Sequence, residues 1–156
     1  MPLTMPHTPK QRILFSALLL GAFGINAHAS DCMPIGGTGL GDATDETHFV
    51  AALSGDFTGA QAEVVDQKKT ETGLILGMTH HFINSKGGLL KTKDEAVLTA
   101  VPGKDRVYML EITYNVVESQ GSYAGYKGRF NSFGLIKLGE GKVIVRYSGE
   151  LCRQPQ

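Results

Sequence analysis

The chain contains no tryptophan, only two cysteines and only five histidines in 156 residues. The two adjacent histidines, His80 and His81, are accompanied by no further His or Cys at ligand spacing, so no zinc site is expected. No other metal and no cofactor is expected either. Charge of one sign is also lacking, with 15 Lys+Arg against 15 Asp+Glu. Without a basic surplus nothing recruits nucleic acid or an anionic membrane face. No apolar run reaches the roughly 20 residues that a membrane-spanning helix needs. A long 3.6-residue apolar period is missing as well, which argues against a helical protein.

The N-terminal segment is of a different kind from the rest. Lys10 and Arg12 precede "ILFSALLLGAFGI" (13–25), a 13-residue apolar run, and Ala27-His28-Ala29 then offers an A-x-A cleavage site. Residues 1–29 therefore read as a signal peptide removed after Ala29, and residues 30–156 as one domain of 127 residues, periplasmic or secreted. Cys32 follows Ser30-Asp31, which is not the small apolar approach of an acylated cysteine, so no stable membrane anchor is expected. The segment removes two positive charges, leaving 13 against 15 and a net charge of −2.

Cys32 lies near the start of that domain and Cys152 near its end. In an oxidising compartment the pair reads as a disulfide. Closing a loop of about 120 residues contributes roughly 4 to 5 kcal/mol on the chain-entropy account. A disulfide also holds its Cα atoms within about 7 Å, so the domain must end where it begins. A closed barrel does this naturally, and a β-sandwich is the alternative.

Eighteen of the 20 glycines fall in the domain, where they punctuate short β-branched and aromatic runs. Strands are expected at 47–54, 60–67, 73–84, 89–101, 106–119, 125–138 and 142–151. The connectors "NSKGG", "PGKD", "SQGS" and "GEGK" carry turn chemistry. The expected fold is all-β, a single closed antiparallel barrel of about eight strands. The stretch "MPIGGTGLGD" (33–42) reads as a flexible lead-in, since a phosphate-binding glycine loop needs a strand before it and a helix after it.

A tight hairpin at "NSKGG" sets His80 opposite Thr92 and Phe82 opposite Leu90. A turn at "PGKD" sets Ala96 near Glu111 and Asp94 near Thr113. Side chains alternate along strands. One face then carries Met78, His80, Phe82, Thr92, Asp94, Glu111, Thr113 and Asn115. The other carries His81, Lys91, Glu95, Tyr108, Leu110, Ile112 and Tyr114. His80 and His81 point to opposite sides and cannot share one ion. His80 is either a core histidine satisfied by Thr92 or Asp94, or a lumen residue that orients a ligand or moves a proton. Glu111 is either solvent-facing or buried with a raised pKa. The candidate catalytic set is His80, Asp94 and Glu111, and the candidate ligand-binding set is Met78, Phe82, Thr92, Thr113 and Asn115.

"VVESQGSYAGYKGRF" (116–130), with Gly121, Tyr123, Gly125 and Gly128, resembles the strand-turn-strand segment of the allene oxide cyclase and dirigent superfamily. His80-x-Phe82, Gly88 and Leu90-x-Thr92-x-Asp94 look like a second element of small exported bacterial relatives, and "YSGELC" (147–152) is similar as well. The resemblance implies an eight-stranded antiparallel barrel with an apolar lumen, often trimeric. It further implies a cavity that folds a flexible substrate, as in members that cyclise unsaturated epoxides or polyketide-like chains. None of the plant enzymes' catalytic residues carries over by motif. The function expected is binding of an apolar small molecule in the lumen, with or without cyclase or isomerase chemistry. The alternative is a non-catalytic structural or interaction module of the cell envelope, with Tyr108, Leu110, Ile112 and Tyr114 as a subunit or partner contact.

Overall fold

The computed structural model describes residues 31–153, and the expected signal peptide lies outside the described residues. Eight strands follow one another: β1 (Asp31–Ala43), β2 (His48–Gly55), β3 (Gly59–Lys69), β4 (Gly73–Ile83), β5 (Leu89–Ala100), β6 (Val107–Gln120), β7 (Tyr126–Lys137) and β8 (Lys142–Arg153). A single 3-10 turn, Gly121–Tyr123, links β6 to β7. Each strand pairs antiparallel with the next, and β1 pairs with β8, so the sheet closes into a barrel. Closure leaves no free sheet edge along the β1–β8 seam, where twelve residue pairs run from Asp31–Arg153 to Asp42–Lys142. Cys32 sits directly opposite Cys152 in that seam, and the two are disulfide-bonded.

The inward rows follow from strict alternation. On β5, Leu90, Thr92, Asp94, Ala96 and Leu98 are buried while the residues between them face outward or are only partly covered. On β4 the buried row is Leu76, Met78, His80 and Phe82. The "NSKGG" hairpin has the expected register, with His80 opposite Thr92 and Phe82 opposite Leu90. Asn84 fixes that turn locally, because its Oδ1 accepts the N–H groups of Lys86 and Gly88.

Two expectations are corrected. Residues 33–42 are not a flexible lead-in but the body of β1, paired with β8 throughout and with β2 from Gly37 onward. Weak intrinsic strand propensity is overridden here by close packing. A Cβ on Gly37 would run into the backbone carbonyl oxygen of Ser54 and lie 2.5 Å from Tyr147 Oη, so the strand passes there only as glycine.

The second correction concerns β6, which is slipped by one residue from the expected register. Ala96 pairs with Ile112 and Asp94 with Tyr114. The β5–β6 connection takes up the extra residue with Arg106, whose φ of 53° lies in the left-handed region. A one-residue slip exchanges the faces. Leu110, Ile112 and Tyr114 are therefore buried, whereas Met109 and Glu111 are exposed and Thr113 and Asn115 lie on the outer side. Burying leucine, isoleucine and tyrosine in place of methionine, glutamate, threonine and asparagine is the more favourable choice, and it selects this register.

Candidate functional site

One end of the barrel is plugged. The three-residue β2–β3 connection, Asp56–Thr58, folds inward and places Phe57 at 0 % exposure against Phe82, Tyr123, Phe130 and Tyr147, with ring centroids 4.8 to 5.8 Å apart. Tyr147 Oη accepts the Phe57 N–H at 3.0 Å and donates to the Ser54 carbonyl at 3.0 Å. Tyr123 Oη holds the same loop through the Asp56 carbonyl, also at 3.0 Å. Burial raises the phenol pKa of both tyrosines above the ordinary value.

Above the plug lies a cavity of about 300 Å³. Its walls are apolar: Leu53 from β2, Ala62 and Val64 from β3, Leu76 and Met78 from β4, Leu110 and Ile112 from β6, with Val143 and Val145 from β8. His80, Phe82, Tyr114 and Tyr147 form its floor, next to the plug. Glu46, Thr47, Asp66 and Gln67 line its rim, and among the described residues no lysine or arginine does. The rim turn is pre-formed, because Asp45 Oδ1 accepts the N–H groups of Thr47 and His48 at 2.8 Å each. Those bonds, that from Thr47 first, hold the Asp45 carboxyl well below the ordinary carboxylate range.

His80 is the imidazole of the floor. Its Nδ1 lies 2.7 Å from Asp94 Oδ2, and the Thr92 hydroxyl donates to the same oxygen at 3.1 Å. The three residues meet because β4 pairs Met78 with Asp94 and His80 with Thr92, so His80 and Asp94 are diagonal neighbours on one face. All three are buried. The His80 ring stacks on Phe82 at 5.4 Å and meets Tyr114 edge-on at 5.0 Å. These contacts fix its plane as well as its hydrogen bond. Tyr114 is bonded to Ser132 at 2.9 Å. Burial raises its phenol pKa well above the ordinary value, the Ser132 bond opposes that rise, and the charge of Asp94 adds to it.

Of the residues expected from the sequence, Met78, His80 and Phe82 line the cavity. Thr92 and Asp94 are buried on the lumen side and support His80 from behind it. Glu111, Thr113 and Asn115 do not belong to the lumen. The β6 slip turns them outward, where Asn115 receives a hydrogen bond from Arg129 Nε and donates to the Lys93 carbonyl. For the same reason Tyr108, Leu110, Ile112 and Tyr114 are not an outer contact face. Leu110, Ile112 and Tyr114 instead join the cavity wall, which sequence reasoning missed. The signal that identifies them is the greater apolarity of their alternating row within "VYMLEITY". His81 faces outward and is exposed, opposite Lys91. Among the described residues, the grouping of possible metal-ligating atoms is Cys32, Cys152 and Glu150, and the disulfide occupies both sulfurs.

The arrangement can hold an apolar molecule against one imidazole. A buried carboxylate orients that ring, as in an acid–base pair. No family model, curated protein or solved structure matches this sequence.

Proposed function

We propose that this chain is an exported barrel that binds an apolar small molecule in its lumen and uses His80 to steer proton chemistry of a cyclase or isomerase type. The observation that carries the reading is the cavity of about 300 Å³, apolar except at its rim, at two tyrosines whose hydroxyls are bonded to protein groups, and at one imidazole backed by a buried carboxylate. A binding pocket needs a dry apolar volume with few polar groups to set orientation. The resemblance of residues 76–152 to the allene oxide cyclase and dirigent superfamily supports the same reading. Export rests on the apolar run 13–25 and its cleavage site, and the disulfide is compatible with it.

The test is retention. Purified protein incubated with lipid and metabolite extracts of its host should return an enriched apolar compound by mass spectrometry. Ala62 lines the cavity directly opposite His80 in the β3–β4 ladder, so Ala62→Phe should fill the space and abolish retention. An empty wild-type protein, or retention unchanged by Ala62→Phe, sinks the reading.

A second reading, an envelope module acting through its outer surface, rests on a different observation. Leu40, Phe133, Ile144 and Met109 are 63, 56, 56 and 53 % exposed. They border one shallow external depression across β1, β8, β7 and β6. An apolar patch of this kind suits a subunit or partner contact, a homotrimer on the family resemblance. A strict monomer by light scattering, with no envelope partner in pull-downs, counts against it.

A further inference from the structure

The polar chemistry of the lumen converges on one atom. The Thr92 hydroxyl donates to Asp94 Oδ2, and His80 Nδ1 lies 2.7 Å from the same oxygen; with Asp94 as a carboxylate, which only accepts, the imidazole hydrogen sits on Nδ1. In a neutral ring the other nitrogen, Nε2, is then an acceptor with a lone pair and no hydrogen. Among the described residues no group bonds to Nε2, and the atom is not sealed off. Among the described residues, the fully buried side-chain polar atom without a partner is Asp94 Oδ1. Since His80 lines the cavity, the accessible surface of Nε2 lies in the lumen.

Size and charge narrow the occupant further. A dry cavity of about 150 Å³ takes benzene, so one of about 300 Å³ suits a two-ring skeleton of roughly ten carbons. Among the described residues, the charged ones of the lining are Glu46 and Asp66, both acidic and both at the rim, so an anionic ligand is disfavoured.

Resting on the lumen-binding reading, we infer that the cavity selects a neutral, two-ring-sized molecule that delivers a hydroxyl hydrogen to His80 Nε2. It does so in preference to the ketone or ether of the same skeleton. A carbonyl or ether oxygen at that position sets lone pair against lone pair and leaves both acceptors unpaired in an apolar site, which is the costly outcome for buried polar groups. Asp94 is the positioning residue, because it chooses which nitrogen holds the hydrogen.

Calorimetric titration of the mature, oxidised protein with decalin, 2-decalone and 2-decalol tests this directly. All three share one skeleton and differ only at the polar group. The alcohol should bind at least tenfold tighter than the ketone, and the hydrocarbon should bind measurably. Asp94→Asn should reverse the order. The amide introduced there satisfies most partners by donating its two hydrogens to His80 Nδ1 and Thr92 Oγ1, which moves the ring hydrogen to Nε2 and makes it a donor. Long-range 1H–15N spectra of the wild-type imidazole provide a readout independent of that variant's folding, and should show a protonated Nδ1 and an unprotonated Nε2. A protonated Nε2 in the wild type, or equal affinity for alcohol and ketone, overturns the inference while decalin binding upholds the lumen reading. If none of the three compounds binds, the lumen reading fails and this inference with it.

Discussion

Tyr147 and Phe57, ninety residues apart, are joined by a hydrogen bond from the Phe57 N–H to Tyr147 Oη at 3.0 Å, and their rings lie 5.1 Å apart. The same hydroxyl donates to Ser54, so one phenol satisfies both sides of the inward loop and turns a three-residue connection into the barrel's plug. Phe57→Ala should destabilise the protein by about 3 to 5 kcal/mol, since a fully buried ring is replaced by a void. Tyr147→Phe keeps the ring but strands the Phe57 N–H, and should cost about 1 to 3 kcal/mol. Urea melts of both variants check the order. A Phe57→Ala protein as stable as wild type would show that the loop does not plug the folded state.

His80→Ala should lose ligand retention and about 2 to 3 kcal/mol of stability, because Asp94 is left buried with the Thr92 hydroxyl as its remaining donor. His81→Ala and Glu111→Gln should each stay within about 0.5 kcal/mol and retain ligand, since both residues are exposed on the outer face. Denaturant melts beside the retention assay read both effects. Loss of retention in Glu111→Gln would contradict the β6 register.

Stability should fall in alkali. Burial raises the phenol pKa of Tyr114, Tyr123 and Tyr147 above the ordinary value of 10. Above that pH the unfolded chain releases the three protons while the folded chain keeps them. The unfolded state then binds fewer protons, and stability declines as pH rises from about 10 towards the folded values. Tyrosinate absorbance from these three residues should appear together with loss of the β-sheet circular dichroism signal. Full tyrosinate absorbance in a still-folded barrel would refute the burial of these hydroxyls.

Reduction of the Cys32–Cys152 bond, or the Cys32→Ser, Cys152→Ser double variant, should lower stability by roughly 4 to 5 kcal/mol on the chain-entropy account. The bridge spans a sequence separation of 120 within the β1–β8 seam. Thermal melts with and without reductant measure the loss. Stoichiometric labelling of free thiols in the native oxidised protein would contradict the bond.

Local chemistry determined a good part of the architecture. Alternating apolar residues on β4 and β5 identify those strands and their inner rows. The Asn84 turn is closed by its own side chain, so the register that brings His80, Thr92 and Asp94 to one face is legible from residues 73–101 alone. The two cysteines brought the end of the domain beside its start, because a single pair has a single partner arrangement. What tertiary structure decided is non-local. Glycine-rich residues 33–42 carry little strand propensity of their own, and become β1 because two neighbouring strands supply hydrogen bonds and inward side chains need the space a Cβ would occupy. The β5–β6 loop gained a residue through Arg106 in the left-handed region, and burial energy across the whole lumen then chose which face of β6 went inside. The plug and the cavity depend on Phe57 meeting rings from β4, β7, β8 and the 3-10 turn, a convergence no short window of sequence contains. Hydrogen bonding within a turn acts over a few residues, whereas packing inside a closed barrel is settled by every strand at once.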